Sequence, residues 1–255
     1  MVRAARFVLS PARPRHTVSI RRMEQAMAAM KEKGLEFFAI LEALRTAQRC
    51  PLCELEARGV QRYFDSLLYE SVNDPGARAR LREARGYCGR HAHMLLRFRN
   101  GLATAILYRE QLEEFARYLA TAPARRSPGK RSHSRGTWAR EELCPACAVQ
   151  MTLRACYQDV LGAWLCEEPL RAAFAQAHAL CVPHFLMCEE HMRIPETRRF
   201  LREVQARKVA LLLQDLAEFI RKHDYRFSAE GFGKEGTAWT EALLMMAGAE
   251  EVFAP

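Results

Sequence analysis

Cys50-Pro51-Leu52-Cys53 and Cys144-Pro145-Ala146-Cys147 are two occurrences of one short motif, CPxC. Each is followed by a CxxH motif, Cys88-Gly89-Arg90-His91 after 34 residues and Cys181-Val182-Pro183-His184 after 33 residues. Each set offers three thiols and one imidazole, which is the ligand set of a closed tetrahedral zinc site. The sequence therefore predicts two metal sites.

The correspondence between the two sets extends beyond the cysteines and histidines. Tyr63 and Tyr157 each lie ten residues after the second cysteine of their CPxC motif. Leu81 and Phe174 each lie seven residues before the cysteine of their CxxH motif. Matching positions over this length are typical of an internal duplication, so we expect two copies of one folding unit.

The nearly equal spacing within each copy leads us to expect that each metal centre forms inside one copy. The first centre would consist of Cys50, Cys53, Cys88 and His91, and the second of Cys144, Cys147, Cys181 and His184. Zinc is the metal expected, with two ions per chain, because three cysteines and one histidine leave no open coordination position. An iron–sulfur cluster is the alternative, since histidine can replace a cysteine ligand and spacing alone does not separate the two.

Apolar residues recur at helical spacing, and no stretch alternates apolar and polar residues long enough to indicate a sheet. The proline that follows Cys50 and Cys144 suits the first position of a helix, where its missing N–H does no harm. We therefore expect an all-α protein of two duplicated three-helix units, each clamped by a metal site, with a lead-in helix over residues 23–49 and C-terminal helices. In the first unit, one long helix should begin at Cys88 and end near Leu119.

The net charge of +9 is concentrated in two segments. Residues 1–22 and residues 121–140 each hold six basic and no acidic residues, whereas the rest of the chain holds 27 basic and 30 acidic residues. The predicted organisation is a disordered basic N-terminus (1–22), the lead-in helix and first unit (23–120), a basic linker (121–140), and the second unit with its tail (141–255). Nucleic-acid binding would be confined to the two basic segments, nonspecific and sensitive to salt, and we do not favour it as the function.

Three cysteines, Cys156, Cys166 and Cys188, fall outside the two sets. A disulfide framework is the weaker interpretation because no export signal is found, and the cytoplasm is the expected location. No run approaches the roughly 18 apolar residues needed to span a bilayer, so we expect no membrane partner. Cys188 and His191 follow the second CxxH motif at helical spacing and could form an alternative site, but we expect Cys188 in the core and His191 in solvent.

No nucleophile elbow, phosphate-binding glycine loop or HExxH motif occurs in the sequence. The polar run over residues 69–74 is explained by turn formation and helix capping. We therefore expect a protein that is not an enzyme, and favour a structural zinc protein that acts as an adaptor or regulatory module for an unidentified protein partner. The alternative is a redox-responsive switch, in which oxidation of the CxxC thiols releases the metal.

Several stretches together resemble one known family. They are the two CPxC motifs, the run Leu-Leu-Tyr-Glu-Ser-Val-Asn-Asp-Pro at residues 67–75, Gly86-Tyr87-Cys88 with His91, and His223-Asp224-Tyr225-Arg226-Phe227 with Trp239. These stretches are similar to a bacterial and archaeal family catalogued as a domain of unknown function, over about Arg49 to the C-terminus. The resemblance implies a shared fold and carries no established activity.

Overall fold

A computed structural model of the protein describes residues 34–121, 138, 140 and 142–253. Every regular element in these ranges is helical, which confirms the all-α fold class. None of the described helices is long and apolar enough to cross a membrane. The predictions for the basic N-terminus, the first part of the lead-in helix and nearly all of the basic linker lie outside the described residues.

The first half of the chain forms five α-helices and one π-helical turn. They are α1 (Leu35–Thr46), α2 (Pro51–Ser66) with the π-helical turn Leu67–Ser71, α3 (Pro75–Glu83), α4 (Gly89–Leu96) and α5 (Gly101–Thr121). Helix α2 begins where the sequence predicts, with Cys50 as its N-cap residue. Asp74 caps α3, because its Oδ1 accepts a hydrogen bond of 2.7 Å from the backbone N–H of Ala77.

From α2 to α5, the first half has a long helix, two short helices and another long helix. The second half repeats this order. It comprises α6 (Pro145–Trp164), α7 (Leu170–Gln176), α8 (Val182–His191) and α9 (Pro195–Lys222), then the 3₁₀ turns Tyr225–Glu230 and Lys234–Thr237, α10 (Ala238–Ala247) and α11 (Glu250–Phe253). Backbone angles also correspond: φ and ψ are −50° and 116° at Cys50, and −50° and 126° at Cys144. They are −66° and 165° at Cys88, and −67° and 156° at Cys181. The motifs of the two halves therefore adopt the same local structure.

The expectation of one long helix from Cys88 to near Leu119 is wrong. Residues 97–100 separate α4 from α5, and Arg99 takes the left-handed backbone conformation with φ of 54°. The side chain of Asn100 then accepts a hydrogen bond of 3.1 Å from the backbone N–H of Ala103 and so begins α5. Asparagine is more favourable as the N-cap of a new helix than in the interior of a longer one, because its helix propensity is low.

Helices α2 and α6, which both begin at CPxC motifs, pack against each other at the centre of the protein. Gly59 permits this close approach, since a Cβ atom there would collide with the side chain of Leu153 on α6. Both hydrophobic clusters combine residues from the two halves. The first includes Phe37, Ile40, Leu161 and Phe174, and the second includes Phe64, Leu107 and Ala146. Residues 121–140 therefore separate the two halves in sequence, but both hydrophobic clusters are shared between the halves.

Candidate metal centres

The eight cysteine and histidine residues of the four motifs lie in two compact groups. The first, the Cys50 centre, consists of Cys50, Cys53, Cys181 and His184. The second, the Cys88 centre, consists of Cys88, His91, Cys144 and Cys147. The three sulfur atoms and one imidazole nitrogen of each centre all lie within 4.8 Å of one another.

The expected pairing within each copy is wrong. Each centre combines the CPxC motif of one half with the CxxH motif of the other, so Cys53 meets His184 and Cys147 meets His91. A spacing that is nearly equal in the two copies cannot distinguish pairing within a copy from exchange between copies. The packing of α2 against α6 decides, because it brings the start of α2 to the start of α8 and the start of α6 to the start of α4.

The spacing of the atoms suits a single tetrahedral ion in each centre. Metal–sulfur bonds of about 2.3 Å and metal–nitrogen bonds of about 2.0 Å place two sulfurs about 3.8 Å apart, and sulfur and nitrogen about 3.5 Å apart. The Sγ atoms of Cys53 and Cys181 are 3.7 Å apart, and the Nδ1 of His184 lies 3.3 Å and 3.4 Å from the Sγ atoms of Cys181 and Cys53. In the Cys88 centre, Cys88 and Cys147 are likewise 3.7 Å apart.

The ligands are positioned by helix N-termini. The N-cap residues of α2, α4, α6 and α8 are Cys50, Cys88, Cys144 and Cys181. The second ligand of each CPxC or CxxH motif lies three positions further on, in the first turn of the helix. Free N–H groups and the positive end of the helix dipole favour thiolates at this position. Each centre therefore collects ligands from the starts of two helices, which suits bound thiolates.

Glu56, which sequence analysis did not single out, orients the histidine of the Cys50 centre. The carboxylate is only 1 % exposed, and its Oε1 lies 2.9 Å from Nε2 of His184, so that Nδ1 of this histidine faces the sulfur atoms. Arg154 donates two hydrogen bonds to Glu56, of 2.8 Å and 2.7 Å. Burial by itself raises the pKa of Glu56, but the hydrogen bonds from His184 and Arg154 outweigh it and hold the pKa below its usual range. A carboxylate behind the ring is the usual support of a metal-binding histidine.

The histidine of the Cys88 centre has a different environment. Nε2 of His91 is buried and has no hydrogen-bond partner among the described residues. Burial and the charge of Arg90 lower the pKa of His91 to about 4. Gln150 stands three residues after its CPxC motif, as Glu56 does in the first half. The same position therefore carries a carboxylate in one half and an amide in the other, and this difference is visible in the sequence.

Gln150 also joins the two centres. Its Nε2 donates a hydrogen bond of 2.8 Å to Glu56, and its Oε1 accepts one of 3.1 Å from Arg90. The same nitrogen of Arg90 lies 4.0 Å from Sγ of Cys147. A continuous path of polar contacts therefore runs from His184 in one centre to Cys147 in the other.

The short helix α11, which the sequence did not predict, lies against both centres. The ring of Phe253 is 4.8 Å from the ring of His184. The carbonyl oxygen of Val252 accepts hydrogen bonds from Arg90 and, at 3.2 Å, from Gln150. A helix of four residues has too little periodicity to be recognised, so its position follows only from the structure.

The three remaining cysteines, Cys156, Cys166 and Cys188, lie outside both centres, and none of the nine cysteines forms a disulfide. Cys188 is 1 % exposed and belongs to the hydrophobic core, as expected. His191 lies at the surface, where its Nε2 is 2.7 Å from a carboxylate oxygen of Asp159. Cys188 and His191 therefore do not come together as an alternative site.

Comparison with known proteins places these centres in a family. The chain is 28% identical over 206 residues to an "Uncharacterized 23.9 kDa protein in xynA 3'region" from Caldicellulosiruptor sp. (strain Rt8B.4), in an alignment that covers 79% of this chain and 96% of that protein. No solved structure matches the chain. The model of a family described as "Family of unknown function (DUF6062)" matches residues 30–251, a range that includes both centres. The chain therefore belongs to this family of unknown function, in agreement with the resemblance of its motifs.

Proposed function

We propose that the protein is a zinc-binding helical module, with one structural zinc ion in each centre, that acts as an adaptor or regulatory module for another protein. The observation that carries the metal assignment is the convergence of three sulfurs and one imidazole nitrogen at each of two sites. Such a set of four protein ligands, with no place for substrate or water, is typical of structural zinc.

The distances support zinc over an iron–sulfur cluster. Cys53 and Cys181 in one centre, and Cys88 and Cys147 in the other, have sulfur atoms 3.7 Å apart, close to the edge of a tetrahedron around one ion. A cluster would place several irons and sulfides between the cysteines, so ligands on different irons would lie farther apart than the 4.8 Å within which all four ligand atoms of each centre lie. Three thiolates around a divalent ion leave one negative charge, and at the Cys88 centre Arg90 supplies a positive charge beside Cys147.

Elemental analysis of the purified protein, together with its absorption spectrum, tests the metal assignment. We expect two zinc ions per chain and no absorption in the visible range. A brown protein that contains iron and sulfide would contradict the proposal. A chelator that strips the zinc should also reduce thermal stability, because binding of a structural metal contributes directly to folding.

The proposed role as an adaptor, and not as an enzyme, is supported by the closed ligand sets and by the outer surface of α9 and α10. Six large apolar side chains on these helices are exposed: Leu211, Leu213, Ile220, Trp239, Leu243 and Met246. Apolar groups on a surface favour contact with another protein. We place this role in the cytoplasm, since reduced thiols persist in a reducing compartment.

A double substitution, Leu243→Glu with Met246→Glu, tests this role. A partner captured by the zinc-loaded protein should be lost by the variant, whereas the zinc content should remain two ions per chain. A matched pair of changes on the exposed side of α5, Leu112→Glu with Leu119→Glu, serves as the control. Equal capture by the wild-type protein and both variants would contradict the assignment of α10 as the contact surface.

A further inference from the structure

We propose that the Cys88 centre is a site of oxidation by hydrogen peroxide or an organic hydroperoxide, and that a disulfide between Cys88 and Cys147 is the product. Oxidation releases the metal of this centre and leaves the Cys50 centre intact. The inference rests on the proposed function in one respect, that zinc occupies the centres.

The two centres differ in the exposure of their cysteine residues. In the Cys50 centre, Cys50 is 8 % exposed, and Cys53 and Cys181 are each 1 % exposed. In the Cys88 centre, Cys88 and Cys147 are partly exposed. A peroxide must approach the sulfur atom that it oxidises, and the partly exposed Cys88 and Cys147 are nearer to solvent than the buried cysteines of the Cys50 centre.

The Cys50 centre is also held more firmly by its surroundings. The backbone N–H of Ala249 donates to Sγ of Cys53 at 3.4 Å, and the ring of Phe253 packs against the ring of His184. Glu56 fixes the same histidine from behind. The histidine of the Cys88 centre has no corresponding carboxylate, and outer partners of this kind strengthen metal binding about 10–100-fold. The Cys88 centre therefore gives up its metal more readily.

The geometry selects Cys88 and Cys147 as the pair. Their Sγ atoms lie 3.7 Å apart and come from the starts of two different helices, α4 and α6. The third cysteine of the centre, Cys144, is only 2 % exposed. The guanidinium group of Arg90 lies 4.0 Å from Sγ of Cys147, where its positive charge can stabilise the departing hydroxide.

The reaction consumes one peroxide for each disulfide. The thiolate of Cys147 attacks one peroxide oxygen, the O–O bond breaks, and the leaving hydroxide takes a proton to become water, which leaves a sulfenic acid on Cys147. The thiolate of Cys88 then attacks this sulfur, the S–O bond breaks, and the second hydroxide takes a proton. Two thiolates, one hydrogen peroxide and two protons thus give one disulfide and two waters; an organic hydroperoxide gives one alcohol and one water. With two ligands lost, the zinc ion leaves as Zn²⁺.

The experiment uses the full zinc-loaded chain. Hydrogen peroxide is added in increasing amounts, zinc release is followed with a coloured chelator, and disulfides are mapped by mass spectrometry after free thiols have been alkylated. One zinc ion should leave at least about tenfold faster than the other, because sulfurs in the Cys50 centre react only after local opening. The first disulfide should join Cys88 to Cys147. A first disulfide that contains Cys50, Cys53 or Cys181, a Cys144–Cys147 product, or equal release rates would overturn the inference.

Two matched variants provide a second measurement. Cys53→Ser removes a ligand from the Cys50 centre. The zinc ion that remains in this variant is the one in the Cys88 centre, and peroxide should release it quickly. Cys88→Ser should retain a zinc ion that resists the same treatment, and the reverse order would overturn the inference. The mapping on the wild-type chain needs neither variant and decides the question if one of them does not fold.

The metal content before peroxide separates this inference from the proposed function. Two zinc ions that leave at equal rates would overturn the inference alone. A protein purified without zinc would overturn the proposed function, and the disulfide mapping would then still show which thiols react first.

Discussion

Replacing Glu56 with glutamine should weaken one metal centre and leave the other nearly unchanged. Glutamine has almost the same size as glutamate, so the packing of α2 is kept. The substitution removes the negative charge that faces His184 and Arg154, and the new amide N–H₂ group cannot accept their hydrogen bonds. The histidine then loses the carboxylate that fixes its orientation.

The structure sets the size of two separate effects. Loss of an outer partner of a metal-binding histidine costs about 10–100-fold in metal affinity, or about 1.4–2.8 kcal/mol. Removal of one partner from a buried ion pair costs about 3–5 kcal/mol of folding free energy. The Arg154 side chain is 20% exposed, so we expect the lower end, about 3 kcal/mol. In a chain of this size such a loss lowers the melting temperature by roughly 6–12 °C.

Competition between the protein and a chelator of known zinc affinity measures the first effect, and thermal unfolding of the zinc-saturated protein measures the second. The titration of the Glu56→Gln variant should show one zinc ion bound about 10–100-fold more weakly and one with wild-type affinity. Adding Arg154→Leu to this variant removes the buried unpaired charge. It should restore part of the melting temperature without restoring the affinity of the weaker ion.

Equal weakening of both zinc ions would refute this reasoning, because it would mean that Glu56 acts through general stability and not through His184. Unchanged binding of both ions would show that the 2.9 Å contact does not influence the metal.

Three further outcomes are expected. Cys53→Ser should release about one zinc equivalent and lower the melting temperature, whereas Cys156→Ser, outside both centres, should do neither; equal effects would show that the division into ligand and other cysteines is wrong. Phe253→Ala should cost about 3 kcal/mol of unfolding free energy or less, since the ring is only partly buried, and should speed chelator access to the Cys50 centre only, as measured by zinc release. Deleting residues 1–22 and 121–140 should abolish any binding to DNA or RNA in a filter-binding assay, and retained tight binding at about 0.15 M salt would contradict the placement of basic charge.

The sequence was sufficient to predict the residues that come together, but not their pairing. A cysteine followed by proline predicts the start of a helix from local rules alone, and α2 and α6 begin there. The exchange of CxxH motifs between the halves depends on how α2 packs on α6, which involves residues 94 and 98 positions apart, such as Glu56 with Gln150 and Arg154. Both pairings satisfy the same local sequence, so no local rule separates them.

The surroundings of the centres were missed for a related reason. Glu56 occupies a helical position where a carboxylate is usually solvated, and only the approach of His184 and Arg154 from the other half makes its burial favourable. The comparison of Glu56 with Gln150 at the matching place in the second half was the available signal. Its meaning depends on knowing which histidine each side chain faces.

The exchange of ligands means that a metal ion bound in either centre would cross-link the two halves of the chain. Cys53 and His184 are 131 positions apart in sequence, and Cys147 and His91 are 56 apart. One half alone carries the CPxC ligands of one centre and the CxxH ligands of the other, so it completes neither. Two identical copies of such a half, related by a twofold axis, would complete both centres, which is the arrangement of a symmetric dimer whose subunits cannot be separated while the metal is bound. In this protein the two halves are joined in one chain, and a cut between residues 121 and 140 would leave two fragments that remain associated through their metal ions.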